Sequence, residues 1–167
     1  MGAGDGTAGG PGRDRPSYWA AVQYLDHGRA PGPTEEERED ALEVRREVFV
    51  EEQGVPEHRE LDGRDDEATH FVAYDGDRPV GAARLRGYEA ATAKVERVAV
   101  LGPERGRGIG RALMAVVEDT AAGDGFDELL LHAQVPVVGF YERLGYEVTS
   151  GEFEDAGIPH REMRTEL

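Results

Sequence analysis

The feature of this chain that most constrains its fold is a glycine-rich loop between a strand and a helix. Residues 94–101 (KVERVAVL) are typical of an apolar strand, and residues 104–111 (ERGRGIGR) contain three glycines and three arginines. Residues 108–122 then carry apolar side chains at helical spacing. Glycine lets a backbone approach a ligand closely, and the first turn of a helix has free N–H groups. The arrangement therefore predicts a loop that binds an anion.

Three phosphate-binding patterns can be compared with this loop. A Walker A loop needs a Gly-Lys pair, which the chain lacks. A dinucleotide-binding loop needs Gly-x-Gly-x-x-Gly and an acid at the end of the next strand, but that strand ends in His132-Ala133-Gln134. The run from Arg105 to Gly110 fits a third pattern, Gln/Arg-x-x-Gly-x-Gly/Ala. A plain strand–helix turn that needs glycine for positive φ is the structural alternative.

The order of the remaining segments predicts an α+β fold with a β–α–β unit at its centre. We expect strands at residues 17–27, 69–75, 79–87, 127–133, 146–150 and 160–166. We expect one helix after a capping box formed by Thr34 and Glu37, and a short one from Pro136 to Leu144. Residues 52–67 are predicted to form a polar loop. Candidate buried positions of the first helix are Leu42, Val44, Val48 and Phe49.

Length and composition suit one domain with one hydrophobic core. The chain has 167 residues, of which 38% are hydrophobic. Residues 1–16 are rich in glycine, proline and aspartate, and we expect them to be a disordered tail. The single domain would then span residues 17–167.

The charge of the chain is strongly negative and its basic residues are nearly all arginine. The formal net charge is −16, and Lys94 is the only lysine. Residues 34–67 alone carry 15 acids and 5 arginines. Such a surface repels duplex DNA and anionic lipid, so we expect neither a nucleic acid nor a membrane as a partner. An acidic, lysine-poor composition resembles that of proteins from halophiles, where molar salt screens self-repulsion. An ordinary acidic protein with a solvated acidic helix is the alternative.

Several classes of site are excluded by residue type and spacing. The chain has no cysteine, so a disulfide framework, a thiolate metal site and a cysteine nucleophile are ruled out. Its five histidines lack metal-binding spacing, and we expect no metal. No apolar run approaches the ~18 residues of a membrane span, and the N-terminal residues lack the apolar segment of a signal peptide. We therefore expect a cytoplasmic protein.

The loop and its flanking segments together resemble the GNAT (general N-acetyltransferase) superfamily. Residues 105–110 match that family's pyrophosphate loop, and residues 139–148 (GFYERLGYEV) resemble its C-terminal motif. The resemblance covers about residues 35–167. The segments VRREVFVEEQGVP, THFV, LHAQ and GEFEDAGIPH resemble one prokaryotic branch of uncertain acceptor. The family fold implied is a mixed, mostly antiparallel sheet in which two splayed parallel strands, here 94–101 and 127–133, form an acyl-CoA cleft.

The resemblance implies acetyl-CoA as a co-substrate. Backbone N–H groups of the loop would hold its pyrophosphate, and the loop arginines would supply positive charge. The strand at residues 94–101 would bind the pantetheine arm through its backbone. The N–H of Val98 would polarise the thioester carbonyl. The cofactor-binding residues implied are Val98, Ala99, Val100, Arg105, Gly106, Arg107, Gly108, Ile109, Gly110, Arg111, Gln134 and Phe140.

The resemblance also implies direct attack of an amine on the thioester, with Tyr141 as the general acid that protonates the thiolate. We expect Phe140 to be the buried member of the Phe140–Tyr141 pair. Glu96, two residues before Val98, would share a face of the strand with it and is the candidate general base. Core packing for Tyr141, and a surface pair with Lys94 or Arg97 for Glu96, are the structural alternatives.

The histidines give less definite expectations. His70, His132 and His160 can titrate near neutral pH. His132, at the end of a buried strand, is expected to be a core histidine, whereas His160 is a candidate lining residue of the acceptor pocket.

Together these features favour an N-acetyltransferase that transfers an acetyl group from acetyl-CoA to a primary amine. The acceptor would be a small-molecule or peptide amine, which the acidic segment 34–67 could attract. A non-catalytic acyl-CoA-binding regulatory module is the alternative, and a homodimer is left open.

Overall fold

The computed structural model describes residues 21–26 and 35–167. Within them the strands and α-helices are β1 (Ala21–Asp26), α1 (Glu35–Arg45), α2 (Glu57–Glu60), β2 (Thr69–Asp75), β3 (Arg78–Glu89), β4 (Thr92–Val100), α3 (Ile109–Gly123), β5 (Glu128–Gln134), α4 (Val138–Arg143), β6 (Glu147–Val148), β7 (Phe153–Asp155) and β8 (Ile158–Glu166). A π-helical segment, Arg46–Glu52, continues α1 directly.

The strands form one mixed sheet in the order β1-β2-β3-β4-β5-β8-β6, and β7 pairs with β8 beyond this path. All neighbouring strands are antiparallel except β4 and β5, which are parallel and are joined through α3. The predicted α+β class, the mostly antiparallel sheet and the central β–α–β unit are therefore confirmed.

Two apolar clusters cover the two faces of the sheet. On one face, α3 packs through Leu113 and Val117 into a large cluster that includes Leu129 and Leu131 of β5. On the other face, α1 packs through Val44 into a smaller cluster. We call these the α3 face and the α1 face.

The parallel strands β4 and β5 separate midway along their length. Their register runs from Thr92 with Glu128 to Val95 with Leu131 and ends there. Immediately beyond, Arg97 has a positive φ of 59°, and the pairing of β4 with β3 shifts register between Glu96 and Ala99. This β-bulge bends the strand away from its partner. The splayed strands expected for an acyl-CoA cleft are thus present.

Some local predictions were wrong. The polar loop at 52–67 contains α2 and a 3-10 turn at Asp65–Glu67, and β7 was not predicted. Leu42 and Phe49 are half-buried, whereas Val44 and Val48 are buried as expected. The first strand, Ala21–Asp26, lies within the predicted range 17–27, whose other residues lie outside the described part of the chain. The expected tail at 1–16 and Thr34 of the capping box lie outside the described residues.

Candidate functional site

A cavity of about 1010 Å³ occupies the gap between the diverging ends of β4 and β5. It extends from the glycine-rich loop to the hairpin of β7 and β8, and the π-helical segment and α2 line its α1 face. All but one of the fourteen predicted site residues line it: Glu96, Val98, Ala99, Val100, Arg105, Gly106, Gly108, Ile109, Gly110, Arg111, Gln134, Phe140 and Tyr141. The exception is Arg107, which belongs to the loop but does not line the cavity.

The loop reaches the cavity through its backbone. Gly106 and Gly108 have positive φ of 84° and 85°, which favours glycine, and Gly108 is the N-cap of α3. No side chain of the described residues caps this helix, so its first N–H groups stay available for an anion. Ile109 is buried by its side chain, so it can contribute only its backbone to a ligand. At Gly110 a Cβ would lie 3.4 Å from Cζ of Phe140.

The loop arginines are less available than the sequence suggests. Arg105 makes a bidentate ion pair with Glu52 of the π-helical segment, both N–O distances being 2.8 Å. Arg107 pairs with Glu104 and Asp75. Arg111 is exposed at the cavity, and within the described part of the chain no carboxylate lies within ion-pair distance of it. Carboxylates within and outside the loop therefore balance much of its positive charge, and Arg111 is the loop arginine best placed to meet an anion.

The bulge at Arg97 decides which residues of β4 face the cleft edge. The N–H of Leu101 donates to the carbonyl of Val80 on β3 at 2.9 Å. Because backbone groups alternate along a strand, the N–H groups of Val98 and Val100 point to the side that β5 has left. The Ala99 backbone faces β3 instead, and its side chain is buried on the α1 face. Ala99 can therefore line the cavity but does not offer its N–H to it.

Tyr141 and Phe140 have roles in packing that are the reverse of those expected. Tyr141 is buried and belongs to the α3-face cluster, whereas Phe140 is half-buried. Both rings line the cavity and contact each other edge to face at 5.0 Å. Burial raises the pKa of Tyr141 well above its usual range. The phenol therefore stays protonated and can only donate a proton.

Glu96 is held in an ion-pair network, contrary to the expectation of a free base. Its carboxylate accepts hydrogen bonds from Arg84 at 2.7 Å and Arg86 at 2.7 Å, and Lys94 lies 3.3 Å away. Although burial opposes it, bonding to Arg86 first and the charge of Arg84 next hold the pKa of Glu96 at about 2. Such a carboxylate is a weak base.

The expected shared face of Glu96 and Val98 is also wrong. Val95 and Val98 both pack against the α3-face cluster, which places Glu96 on the opposite face. The extra residue of the bulge shifts the two-residue alternation by one position. The structural alternative for Glu96 was an ion pair with Lys94 or Arg97. Glu96 does pair with Lys94, whereas Arg97 pairs with Glu60 and Asp62.

The histidines lie differently from their sequence-based expectations. His132 is half-buried and lines the cavity, so it is not a core histidine. His160 also lines the cavity and stacks on Phe153, which meets the ring of His132 edge to face at 4.9 Å. His70 is fully buried and bonds the carbonyl of Asp65, away from the cavity.

Several residues that the sequence analysis missed also form the site. Gln53, just after the π-helical segment, accepts a hydrogen bond from Gln134 at 2.9 Å and so links α1 to the end of β5. Arg97 bonds the carbonyl of Glu60 and the carboxylate of Asp62. A π-helical segment is rare and often occurs at functional sites. The sequence gives no period or motif that marks it.

The acidic segment 34–67 contributes fewer free charges to the cavity than expected. Glu60 is buried and paired with Arg45 and Arg97, and Asp62 bonds Arg84. Because these acids are already paired with arginines, they attract a cation less than their number suggests.

The described residues contain neither a metal cluster nor a membrane-spanning helix. In ranges 21–26 and 35–167 no cluster of three or more His, Asp or Glu side chains could hold a metal ion. Over the same ranges, no helix has the length and apolar character to cross a bilayer.

Comparisons with known proteins agree with this geometry. Residues 33–167 match the family described as an acetyltransferase (GNAT) domain. The chain is 47% identical to the uncharacterized N-acetyltransferase YjcF of Bacillus subtilis, over 77% of this chain and 92% of that protein. It is 39% identical to the uncharacterized protein YyaT of the same organism, over 80% of this chain and 92% of that protein.

Solved structures show the same fold. An acyl-CoA N-acyltransferase from Pseudomonas aeruginosa superposes with a TM-score of 0.75 at 26% identity, over 86% of this chain and 98% of that one. An aminoglycoside 6'-N-acetyltransferase complexed with coenzyme A superposes with a TM-score of 0.67 at 17% identity, over 87% of this chain and 96% of that one. At this identity the similarity shows the shared fold alone. With the splayed strands, the glycine-rich loop and the matched domain together, the chain belongs to the GNAT family and is an acyl-CoA-dependent acetyltransferase.

Proposed function

We propose that the protein transfers the acetyl group of acetyl-CoA to a primary amine by direct attack of the amine on the thioester. The observation that carries this proposal is that one cavity joins the glycine-rich loop, the free edge of β4 and Tyr141. The amine acceptor would be a small molecule or a peptide.

The loop is suited to hold the pyrophosphate. The N–H groups at residues 107–110 lie at the start of α3, where the helix dipole favours an anion, and Arg111 adds a cation at the cavity. Arg105 would help only after exchanging its contact with Glu52 for one with phosphate. That exchange is feasible because both side chains of the pair are half exposed.

The free edge of β4 is suited to hold the pantetheine arm and to polarise the thioester. Val98 and Val100 direct their N–H groups to the open side, as one strand does toward another in a sheet. In the acyl transfer, the Val98 N–H would donate to the carbonyl oxygen as it becomes an oxyanion.

Tyr141 is suited to protonate the departing thiolate. Its buried phenol keeps its proton, and no hydrogen-bond partner within the described residues competes for the hydroxyl. Proton donation by one such group typically contributes 10²–10⁴ in rate.

Binding of the cofactor can be tested by titration calorimetry with acetyl-CoA. Gly108→Glu places a carboxylate at the N-cap of α3 and a side chain at a φ of 85°, so binding should be lost. Gly151→Glu adds the same charge at an exposed glycine outside the cavity and should bind as the wild type does. Equal affinities in both variants would remove the loop from the site.

Turnover can be tested with a panel of amines and a thiol reagent. The chain has no cysteine, so every thiol detected comes from coenzyme A. Amine-dependent thiol release supports the transferase. Tight acetyl-CoA binding with no release across polyamines, aminosugars, amino acids and peptides would favour the non-catalytic binding module instead.

A further inference from the structure

His132 lines the cavity but has no role in the acetyl transfer proposed above. It follows directly after the last parallel pair, Val95 with Leu131, and so lies where β4 and β5 separate. Leu131 and Ala133 on either side of it are buried in the α3-face cluster, which places the imidazole on the α1 face. Its side chain is 29% exposed, and it lines the cavity.

Tyr141 and His132 therefore stand on opposite faces of the sheet at the same gap. Tyr141 belongs to the α3-face cluster, whereas His132 lies on the face lined by α2 and the π-helical segment. A thioester held in the gap would have a proton donor on one side and an imidazole on the other. This is the arrangement that acyl transfer to an amine needs, because one group must be deprotonated while another is protonated.

The surroundings of His132 keep its ring neutral and oriented. Phe153 contacts the ring edge to face. The charged and titratable groups that act on it are Lys94 of β4, Asp155 of β7, and His160 and Glu162 of β8. Burial first and Lys94 next lower the pKa of His132, while Glu162, 3.9 Å from Nε2, opposes them. At neutral pH the ring is therefore unprotonated and can accept a proton.

Glu96, the alternative carboxylate base, is committed to Arg84 and Arg86. We propose that His132 is the general base that accepts a proton from the incoming ammonium group of the acceptor. This inference rests on the proposed function, since it assigns a role within that same reaction.

The imidazole of His132 takes one proton from the ammonium, and the freed lone pair on nitrogen forms the new C–N bond at the thioester carbon. The C–S bond breaks and its electron pair leaves on sulfur, which takes the proton of Tyr141. The second proton lost from the nitrogen restores the phenol, and the imidazolium releases its proton to water.

The test compares two amines of similar size that differ in protonation. Ethylamine is protonated at neutral pH, whereas 2,2,2-trifluoroethylamine is largely unprotonated, so only the first needs a base. His132→Gln is assayed with each amine at saturating acetyl-CoA, by thiol release from pH 6 to 10. Calorimetry with acetyl-CoA verifies that the variant folds and binds.

We expect the rate of thiol release by His132→Gln to fall by roughly 10²–10⁴-fold with ethylamine and by less than about tenfold with trifluoroethylamine. The ethylamine rate of the variant should rise with pH toward ~10, as the amine itself loses its proton. His160→Gln removes a second imidazole that lines the cavity, and it should affect both amines alike while keeping the wild-type pH profile.

Equal losses with both amines, or no loss, would overturn the assignment of His132 and leave the transferase proposal standing. Wild-type protein that binds acetyl-CoA but releases no thiol with either amine, nor with any amine of the wider panel, would overturn both proposals.

Discussion

Replacing Glu96 with glutamine should destabilise the fold, because its carboxylate holds three cations together. Arg84, Arg86 and Lys94 all lie within 3.3 Å of its oxygens. Glutamine keeps the size of the side chain but removes the negative charge. The three cations would then repel one another in a region where Arg84 is fully buried.

The size of this destabilisation follows from the pKa of Glu96, which folding lowers from 4.5 to about 2. Such a change corresponds to about 3 kcal/mol of stability at neutral pH. Because the pKa is lower in the folded state, this contribution is complete above pH ~4.5 and is lost as the pH falls toward ~2. About 2 kcal/mol should remain at pH ~3.5.

Denaturant unfolding of the wild type and Glu96→Gln at fixed ionic strength measures this difference. We expect the variant to be less stable by about 3 kcal/mol at pH 7, with the gap narrowing as the pH is lowered. Glu89→Gln changes an exposed glutamate at the end of β3 and should be nearly neutral.

A gap below ~1 kcal/mol that does not depend on pH would refute the reasoning. If such a stable variant also lost its turnover, Glu96 would be the catalytic base after all. The stability measurement therefore decides between a structural and a catalytic carboxylate.

Three further predictions follow from the site. Tyr141→Phe should lower kcat by roughly 10²–10⁴ and change acetyl-CoA affinity only a few-fold, as steady-state kinetics and calorimetry would show; a higher KM with unchanged kcat would make it a packing residue. Glu52→Gln frees Arg105 for phosphate and should tighten acetyl-CoA binding about two- to fivefold in calorimetry, and weaker binding would contradict this. The melting temperature should rise from ~0.1 M to several molar KCl, because salt screens the repulsion among the acids of residues 34–67; a flat curve would contradict the halophile interpretation.

The sequence alone was enough to predict the loop and strand that we propose bind the cofactor. The loop at residues 105–110, the strand before it and the helix after it are local patterns, since glycine, turn chemistry and apolar period act over a few residues. The splayed strands and the place of Tyr141 at the cavity were implied by the resemblance of these segments to the GNAT family.

Tertiary structure decided which charges and faces meet. The bulge at Arg97 turned Glu96 and Val98 to opposite faces, and no residue type in the strand signals it. Arg84 neutralises Glu96 across β3 and β4, and Glu52 engages Arg105 from 53 positions away. Such pairs depend on strand register and helix placement, which distant parts of the chain set together. The acid–base chemistry of the cleft, including the place of His132, is for this reason a property of the folded chain.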